Sequence, residues 1–218
     1  MAETRRRILD TARSLFNQHG VHRVGVRDVA RAAGISAGNL AYHFPTKDDL
    51  VRALVLELHE LNASTVFARL PPAFSLETLY RSALAVMRNL LVYKFVLLSY
   101  VDAVKASPQL QELTVDDRRK RKQRHLGLVE ALVKGGYLDR RAVARRIDHL
   151  FEQGELISSG WLNDAELQGL HDDEAVVLHY AKVGMALLEP HCTPKGNKQM
   201  RRILAGRLDE KRRAKRAR

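Results

Sequence analysis

The chain has 218 residues, of which 45% are hydrophobic and 28% are charged, and its formal net charge is +12 at pH 7. This length suits one or two domains with a sizeable core, and the apolar content is normal for a globular protein. The single cysteine, Cys192, excludes an internal disulfide framework and fits a reducing cytosol. No signal peptide pattern is evident, and charges interrupt the most apolar segment, 83–104, so we expect a cytoplasmic protein that makes no membrane contact.

The positive charge is concentrated at the C-terminal end. Residues 195–218 contain eleven Lys or Arg and two acidic residues, whereas the remaining chain contains 26 basic and 23 acidic residues. Net charge alone therefore does not indicate nucleic-acid binding by the body of the chain. Residues 193–218 are predicted to form a basic, disordered tail, since the final segment, KRRAKRAR, has nothing to bury. Such a tail either adds sequence-independent attraction to phosphate or is simply solvated, and both alternatives stay open.

A helix-turn-helix pattern is predicted for residues 25–44, after a first amphipathic helix. The apolar face of that first helix consists of Ile8, Leu9, Ala12, Leu15 and Phe16. In the next helix, apolar residues recur at i, i+3, i+4 and i+7, at Val26, Val29, Ala30 and Ala33. Gly34 is a C-cap, Ser36 is the N-cap of a second short helix, and Pro45 ends that helix. This arrangement places a recognition helix in the major groove of DNA.

The second short helix carries the candidate DNA-binding residues. Leu40 and Phe44 are four residues apart and are expected to share its buried face, which leaves the other side chains pointing elsewhere. Asn39 is suited to a bidentate pair with adenine, while Tyr42, His43 and Lys47 are suited to phosphate contacts. The alternative is an ordinary solvated helix of a small bundle, with Tyr42 half buried. The predicted DNA-binding set is Arg27, Ser36, Ala37, Gly38, Asn39, Tyr42, His43 and Lys47.

The rest of the chain is also predicted to be helical, because no segment shows the alternation of a strand. A long helix is expected from Lys47 to Leu70, where Pro71 and Pro72 stop it. A polar turn is expected at 163–172. The other expected helices cover residues 75–106 (with a break near 89–94), 107–133, 139–161 and 173–188. The predicted fold is therefore all-α, with about nine helices, a DNA-binding head over 1–50 and a helical bundle over 51–192.

We find no pattern of catalytic or metal-ligating residues, so we predict neither an enzyme nor a cofactor. No Glu-x-x-His pair, phosphate loop or nucleophile elbow occurs. Buried aromatic and methionine side chains are candidate walls for a small-molecule cavity, although filling the core is at least as good an interpretation for each. Asn89, Gln153, Glu155 and Ser158 are its candidate polar groups. The predicted cavity set is Met87, Tyr93, Phe95, Tyr100, Phe151 and Trp161.

The N-terminal pattern resembles the tetracycline-repressor (TetR) family of bacterial regulators over about the first 55 residues. The matching residues are Ala30, Ala33, Gly34, Ile35, Ser36, Gly38, Leu40, Tyr42, His43, Phe44, Lys47 and Leu50. This resemblance implies a homodimer that binds a near-palindromic DNA operator. It also implies a variable C-terminal domain that binds a small-molecule effector and tunes operator affinity. The family builds its dimer from the last two long helices, where this chain carries small residues at Gly154, Ser158, Ser159, Gly160, Ala181, Gly184 and Ala186.

Two positions depart from the common family pattern. Gly25 stands where a threonine usually caps the helix before the turn, so one side-chain contact to phosphate is missing. Ala41 stands where many members have a tyrosine, and the aromatic residue is instead Tyr42. The version Gly-Asn-Leu-Ala-Tyr-His-Phe resembles a subgroup of the family. The alternative function is a non-specific architectural DNA-binding protein that depends on the basic tail.

Overall fold

The computed structural model describes residues 2–66, 74–206 and 208, and over these residues the fold is all-α. Twelve α helices occur in this part of the chain, and the 3-10 turn Glu189–His191 lies between the last two. The all-α prediction is confirmed, but the predicted number of helices is too low because several predicted helices are broken. No helix within the described ranges is long and apolar enough to cross a membrane. In order, the helices are α1 Ala2–His19, α2 Val26–Ala32, α3 Ala37–His43, α4 Lys47–Val66, α5 Leu76–Val92, α6 Phe95–Leu98, α7 Tyr100–Ala106, α8 Pro108–Lys134, α9 Arg140–Ala144, α10 Ile147–Leu167, α11 Asp173–Ala186 and α12 Pro194–Leu204.

The first of two compact units combines residues 1–64 with residues 89–118. Its core contains the apolar face predicted for α1, where Ile8, Leu9, Ala12 and Phe16 are at most 1% exposed. Helix α4 adds Leu50, Leu54 and Leu58, which are also buried, whereas Leu61 is 38% exposed. The grouping differs from the predicted head over 1–50, because α6 packs on α1 through Phe95 and Phe16, and Asp117 of α8 lies 3.5 Å from His59 of α4. The predicted end of α4 at residues 67–72 lies outside the described residues.

The second unit contains residues 65–88 and 119–218. Two of its helix boundaries differ from the prediction. Asp139 caps only the short helix α9, through a hydrogen bond from the Ala142 N–H at 2.8 Å, and non-helical backbone at Arg146 separates α9 from α10. Helix α10 then continues to Leu167 through the segment predicted as a polar turn. It continues because Trp161, Leu162 and Ala165 are buried on its inner face.

Helix α12 contradicts part of the predicted disordered tail. The Thr193 hydroxyl accepts a hydrogen bond from the Gly196 N–H at 3.1 Å and so caps the helix. Met200 and Ile203 are fully buried. Gly196 lies so close to Tyr137 that a Cβ added at residue 196 would be 2.0 Å from the Tyr137 carbonyl oxygen. The segment is ordered because its few apolar residues fall on one helical face. Residues 207 and 209–218 lie outside the described residues.

Candidate DNA-binding surface

The turn between α2 and α3 has the predicted geometry. Gly34 has a φ of 65°, in the left-handed region that glycine enters without steric cost. The Ile35 N–H donates to the Ala30 carbonyl at 3.0 Å, which closes the end of α2. The Ser36 hydroxyl accepts a hydrogen bond from the Asn39 N–H at 3.1 Å and caps α3. The two helices are therefore held at a fixed turn by the residues that sequence analysis assigned to it.

Helix α3 separates a buried face from an exposed one. Leu40 and Phe44 are 2% and 3% exposed, which confirms that they share the inner face. Tyr42 is 73% exposed and its ring meets that of His43 edge to face, with 5.3 Å between the centroids. The other exposed residues of this segment are Ser36, Ala37, Gly38, Asn39 and Ala41. A short helix with this polar and aromatic outer face is available to an external ligand.

Gly38 is not required by the packing of the protein. No atom lies within 4 Å of the position that a Cβ would occupy there. A glycine in a helix costs about 1 kcal/mol relative to alanine, so stability alone does not explain its presence. Its absence of a side chain keeps the outer surface of α3 narrow, which allows another molecule to approach the backbone.

The start of α2 shows how the chain tolerates Gly25 as an N-cap. The Asp28 carboxylate accepts a hydrogen bond from the Gly25 N–H at 3.0 Å, which satisfies one backbone donor before the helix. Glycine has no side chain for the reciprocal bond, so only half of a capping box is formed. Arg27, in the first turn of α2, is exposed.

Lys47 and His43 are the two members of the predicted DNA-binding set that are only partly exposed, and Lys47 also bonds within the protein. It is half buried, and its ammonium group donates to the carbonyls of Val21 and Val24 at 2.9 and 3.3 Å. These bonds hold the loop between α1 and α2 against the start of α4. The structure therefore shows Lys47 supporting this loop, and its predicted phosphate contact stays a prediction.

One residue beside α3 was missed by sequence analysis. The guanidinium of Arg5 lies over the ring of Phe44, 5.1 Å from its centroid. Arg5 is itself exposed. The contact joins the start of α1 to the end of α3, and no local spacing in the sequence indicates it.

The residues predicted to line an effector cavity are all buried, and they are divided between the two units. Tyr93, Phe95 and Tyr100 belong to the first unit, whereas the remaining three belong to the second. Phe95 packs on Phe16 of α1, with 5.6 Å between ring centroids. The hydroxyl of Tyr100 lies 3.2 Å from that of Thr114. These contacts belong to the core of the first unit, and the cavity role of its three residues stays a prediction.

Met87, Phe151 and Trp161 are the cavity candidates of the second unit. His125 meets Phe151 edge to face, with 5.6 Å between centroids, and burial lowers the pKa of this histidine. The indole N–H of Trp161 is buried and has no hydrogen-bond partner within the described residues. A buried donor without a partner is uncommon in native structures.

The four predicted polar groups of the cavity are not available as expected. Gln153 and Ser158 are exposed on α10. Glu155 binds the Arg121 guanidinium at 2.8 Å, and the Asn89 amide donates to Asn62 at 3.0 Å. The sequence predicted apolar surroundings for Gln153, Glu155 and Ser158 because the direction of the inner face of α10 could not be read from periodicity alone. Over the described ranges, no group of three or more His, Cys, Asp or Glu side chains could hold a metal ion.

The fold and the exposed outer face of α3 define a helix-turn-helix protein, and comparison with known proteins identifies its family. The family model described as bacterial regulatory proteins, tetR family, matches residues 8–54. A second model, described as bacterial transcriptional repressor, matches residues 59–200. The chain therefore belongs to the TetR family.

Curated relatives resemble the head of this chain. The regulator UidR of Escherichia coli strain K12 is 37% identical over 57 residues, which are 26% of this chain and 29% of UidR. The regulator TtgR of Pseudomonas putida is 41% identical over 58 residues, 27% of this chain and 28% of TtgR. The similarity thus spans under a third of these relatives and leaves the C-terminal domain unmatched.

Solved structures resemble the whole fold. A TetR-family regulator from Marinobacter aquaeolei has a TM-score of 0.80 at 20% identity and covers 94% of this chain and 97% of its own. The complex of SmeT, from Stenotrophomonas maltophilia, with triclosan has a TM-score of 0.66 at 20% identity, over 88% and 93% of the two chains. At this identity the likeness concerns the fold alone.

Proposed function

We propose that the protein is a sequence-specific transcriptional repressor that binds a near-palindromic DNA operator through α3. The observation that carries this proposal is the division of α3, with Leu40 and Phe44 buried and a slim, polar face exposed. Such a helix enters a major groove and reads base edges with its N-terminal residues. The tail-driven architectural alternative is not favoured, because the family models match the head and the bundle and end at residue 200.

Within this proposal the outer face of α3 divides into base contacts and phosphate contacts. Ser36, Ala37, Gly38 and Asn39 lie at its N-terminal end, and the Asn39 amide is suited to adenine. Tyr42 and His43 lie one turn further on and serve the phosphate backbone, as does Arg27 in α2. Lys47 supports the loop before α2. We also propose that the protein belongs to the subgroup with this type of recognition helix, and the support for this is its own Gly-Asn-Leu-Ala-Tyr-His-Phe segment.

The proposed repressor acts as a homodimer through α10 and α11. Their outer surfaces carry exposed apolar side chains, with Leu156 at 71%, Leu167 at 88% and Val183 at 40% exposed. Leu156, Gly160 and Leu167 fall at i, i+4 and i+11, which is one face of α10. An exposed apolar stripe beside a glycine suits close helix packing against a second copy. Two recognition helices would then enter successive major grooves, about 34 Å apart.

We further propose that a small-molecule effector shifts the spacing of the two DNA-binding heads in the dimer. We also propose that the protein acts in the cytoplasm as a regulator without enzymatic activity. A coupling of about 1–3 kcal/mol between effector and operator sites changes affinity roughly 5- to 150-fold. An apolar or amphiphilic effector is supported by the aromatic residues of the second unit, Phe151 and Trp161. The neighbour SmeT forms a complex with triclosan, which is consistent with a ligand of that character.

The test is in-vitro selection of genomic fragments from the source organism by the full chain at about 150 mM salt, a concentration that weakens non-specific binding. We expect enrichment of one inverted repeat. The variant Asn39→Ala should lose or alter this motif while keeping its thermal stability, because Asn39 is exposed. A second variant should end at Gly206, so that the tail is removed and α12 is kept, and it should select the same repeat.

Two results would contradict the proposal. Enrichment without a shared motif, or enrichment that disappears when residues 207–218 are removed, would favour the architectural alternative.

Sedimentation of Leu156→Glu, compared with Leu126→Glu on α8, tests the dimer separately. Leu126 is 40% exposed and serves as the control, and only the α10 variant should be monomeric.

A further inference from the structure

The first two turns of α1 contain three consecutive arginines, and they are not equivalent. Arg6 binds Asp10 at 2.9 Å and approaches Glu57 at 3.5 Å, so its charge is balanced within the protein. Arg5 and Arg7 have no hydrogen bond or ion pair to any residue that the structure describes. Only Arg5 has an aromatic partner, since its guanidinium lies 5.1 Å from the centroid of the Phe44 ring.

Helix stability does not account for the position of Arg5. Cations near a helix N-terminus are unfavourable, because the aligned peptide dipoles already place positive charge there. Arg5 is the fourth residue of α1, which begins at Ala2. Its side chain is exposed, so its stacking on Phe44 is worth little to the fold. What the contact does achieve is to hold a guanidinium at the residue that ends α3.

From this geometry we infer that Arg5 is a phosphate-binding residue of the DNA interface, located beside the C-terminal end of α3. The inference rests on the proposed function, because it requires that α3 enters a major groove. A recognition helix in the groove is flanked by the phosphates of the two strands. Stacking leaves the N–H groups at the edge of the guanidinium plane free to bind phosphate oxygens in a bidentate manner. The contact with Phe44 therefore keeps the Arg5 guanidinium near the end of α3.

The test compares Arg5→Gln with Arg7→Gln in titrations of the full chain on its selected operator, at several salt concentrations. Both variants remove one positive charge from an exposed site on the same helix, but only the first removes a guanidinium stacked on Phe44. We expect Arg5→Gln to weaken operator binding about tenfold and to lower the slope of log K against log salt by about one. Arg7→Gln should change affinity less than twofold, and both variants should melt at the wild-type temperature.

Arg5→Lys provides a second comparison. It keeps the charge but loses the planar fork, so we expect it to keep the salt slope of the wild type while recovering only part of the affinity. Equal losses in Arg5→Gln and Arg7→Gln would overturn the inference, since they would reflect net charge alone. Wild-type affinity in Arg5→Gln would overturn it as well. Failure of the proposed function is distinct, because the wild-type chain would then show no specific operator binding at any salt concentration.

Discussion

Asn17 and Phe95 are joined by a hydrogen bond between the Asn17 side-chain oxygen and the Phe95 N–H, at 3.0 Å. The amide nitrogen of the same side chain donates to the Val92 carbonyl, also at 3.0 Å. The two bonds satisfy backbone groups that are left unpaired between α5 and α6. One side chain at the end of α1 therefore fixes a segment nearly eighty residues later, beside the packed rings of Phe16 and Phe95.

We expect Asn17→Ala to lower the free energy of unfolding by about 1–3 kcal/mol, because it leaves two backbone groups without partners. In a protein of this size the melting temperature should fall by roughly 2–4 °C for each kcal/mol. Gln18→Ala is the control, since Gln18 is exposed and its one side-chain bond, to Ser14, is 3.4 Å long. Thermal unfolding of both variants measures the difference, and equal melting temperatures would show that the Asn17 bonds do not stabilise the unit.

A substitution at Gly38 tests DNA binding independently of folding. Because a Cβ at Gly38 meets no atom within 4 Å, we expect Gly38→Gln to fold with wild-type stability or slightly better. Its operator affinity should nevertheless fall at least tenfold, since the new side chain occupies the surface proposed to approach DNA. Gly127→Gln on α8 is the matched control, because its Cβ position is equally open. Circular dichroism and operator titration of both variants decide the question, and unchanged affinity in Gly38→Gln would exclude close backbone approach at that residue.

A substitution at Lys47 tests whether this residue supports the loop before α2 or contacts DNA directly. Lys47→Met removes two hydrogen bonds from a charged donor, so we expect a loss of stability of about 1.5–3 kcal/mol. A direct phosphate contact would instead reduce operator affinity and leave stability unchanged. Arg52→Met, at an exposed position of the same helix, should have little effect on stability. Urea denaturation of the two variants measures this difference.

The pKa of His125 is lowered by burial beside Phe151, so the folded protein favours the neutral imidazole. A group whose pKa is lower in the folded state contributes stability above its unfolded pKa and loses it as the pH falls. We therefore expect stability to decline as the pH falls below the ordinary histidine value of 6.5. His125→Phe should be less sensitive over that range, whereas His171→Gln, at an exposed site, should follow the wild type. Parallel pH profiles of His125→Phe and the wild type would contradict this assignment.

Local patterns in the sequence were sufficient for the recognition segment. This segment depends on the spacing of Leu40 and Phe44, on Gly34 and on Ser36. Each of these features acts within one or two helical turns, so the local structure follows from residues that are close in sequence. The roles of Lys47 and Arg5 could not be predicted in this way. Both depend on residues at least 23 positions away, Val24 and Val21 for Lys47 and Phe44 for Arg5.

Prediction from local sequence patterns is limited in the C-terminal half as well. Helix α12 has few apolar residues, and it is ordered because Met200 and Ile203 find a buried surface that periodicity alone does not reveal. The predicted cavity residues were recognised as buried, but whether a buried aromatic side chain fills a core or faces a ligand depends on tertiary packing. Phe95 illustrates this, since its partner is Phe16 in the head.

The compact head unit is discontinuous in sequence, because residues 89–118 pack with residues 1–64. A hybrid regulator made by transplanting only the first 64 residues onto another effector domain would leave Asn17 and Phe16 without Val92 and Phe95. The transplanted segment should therefore include the stretch from Asn89 to Arg118. The same discontinuity means that the two parts of the head are synthesised at different times. The C-terminal end of α1 can complete its packing only after the ribosome has synthesised α6.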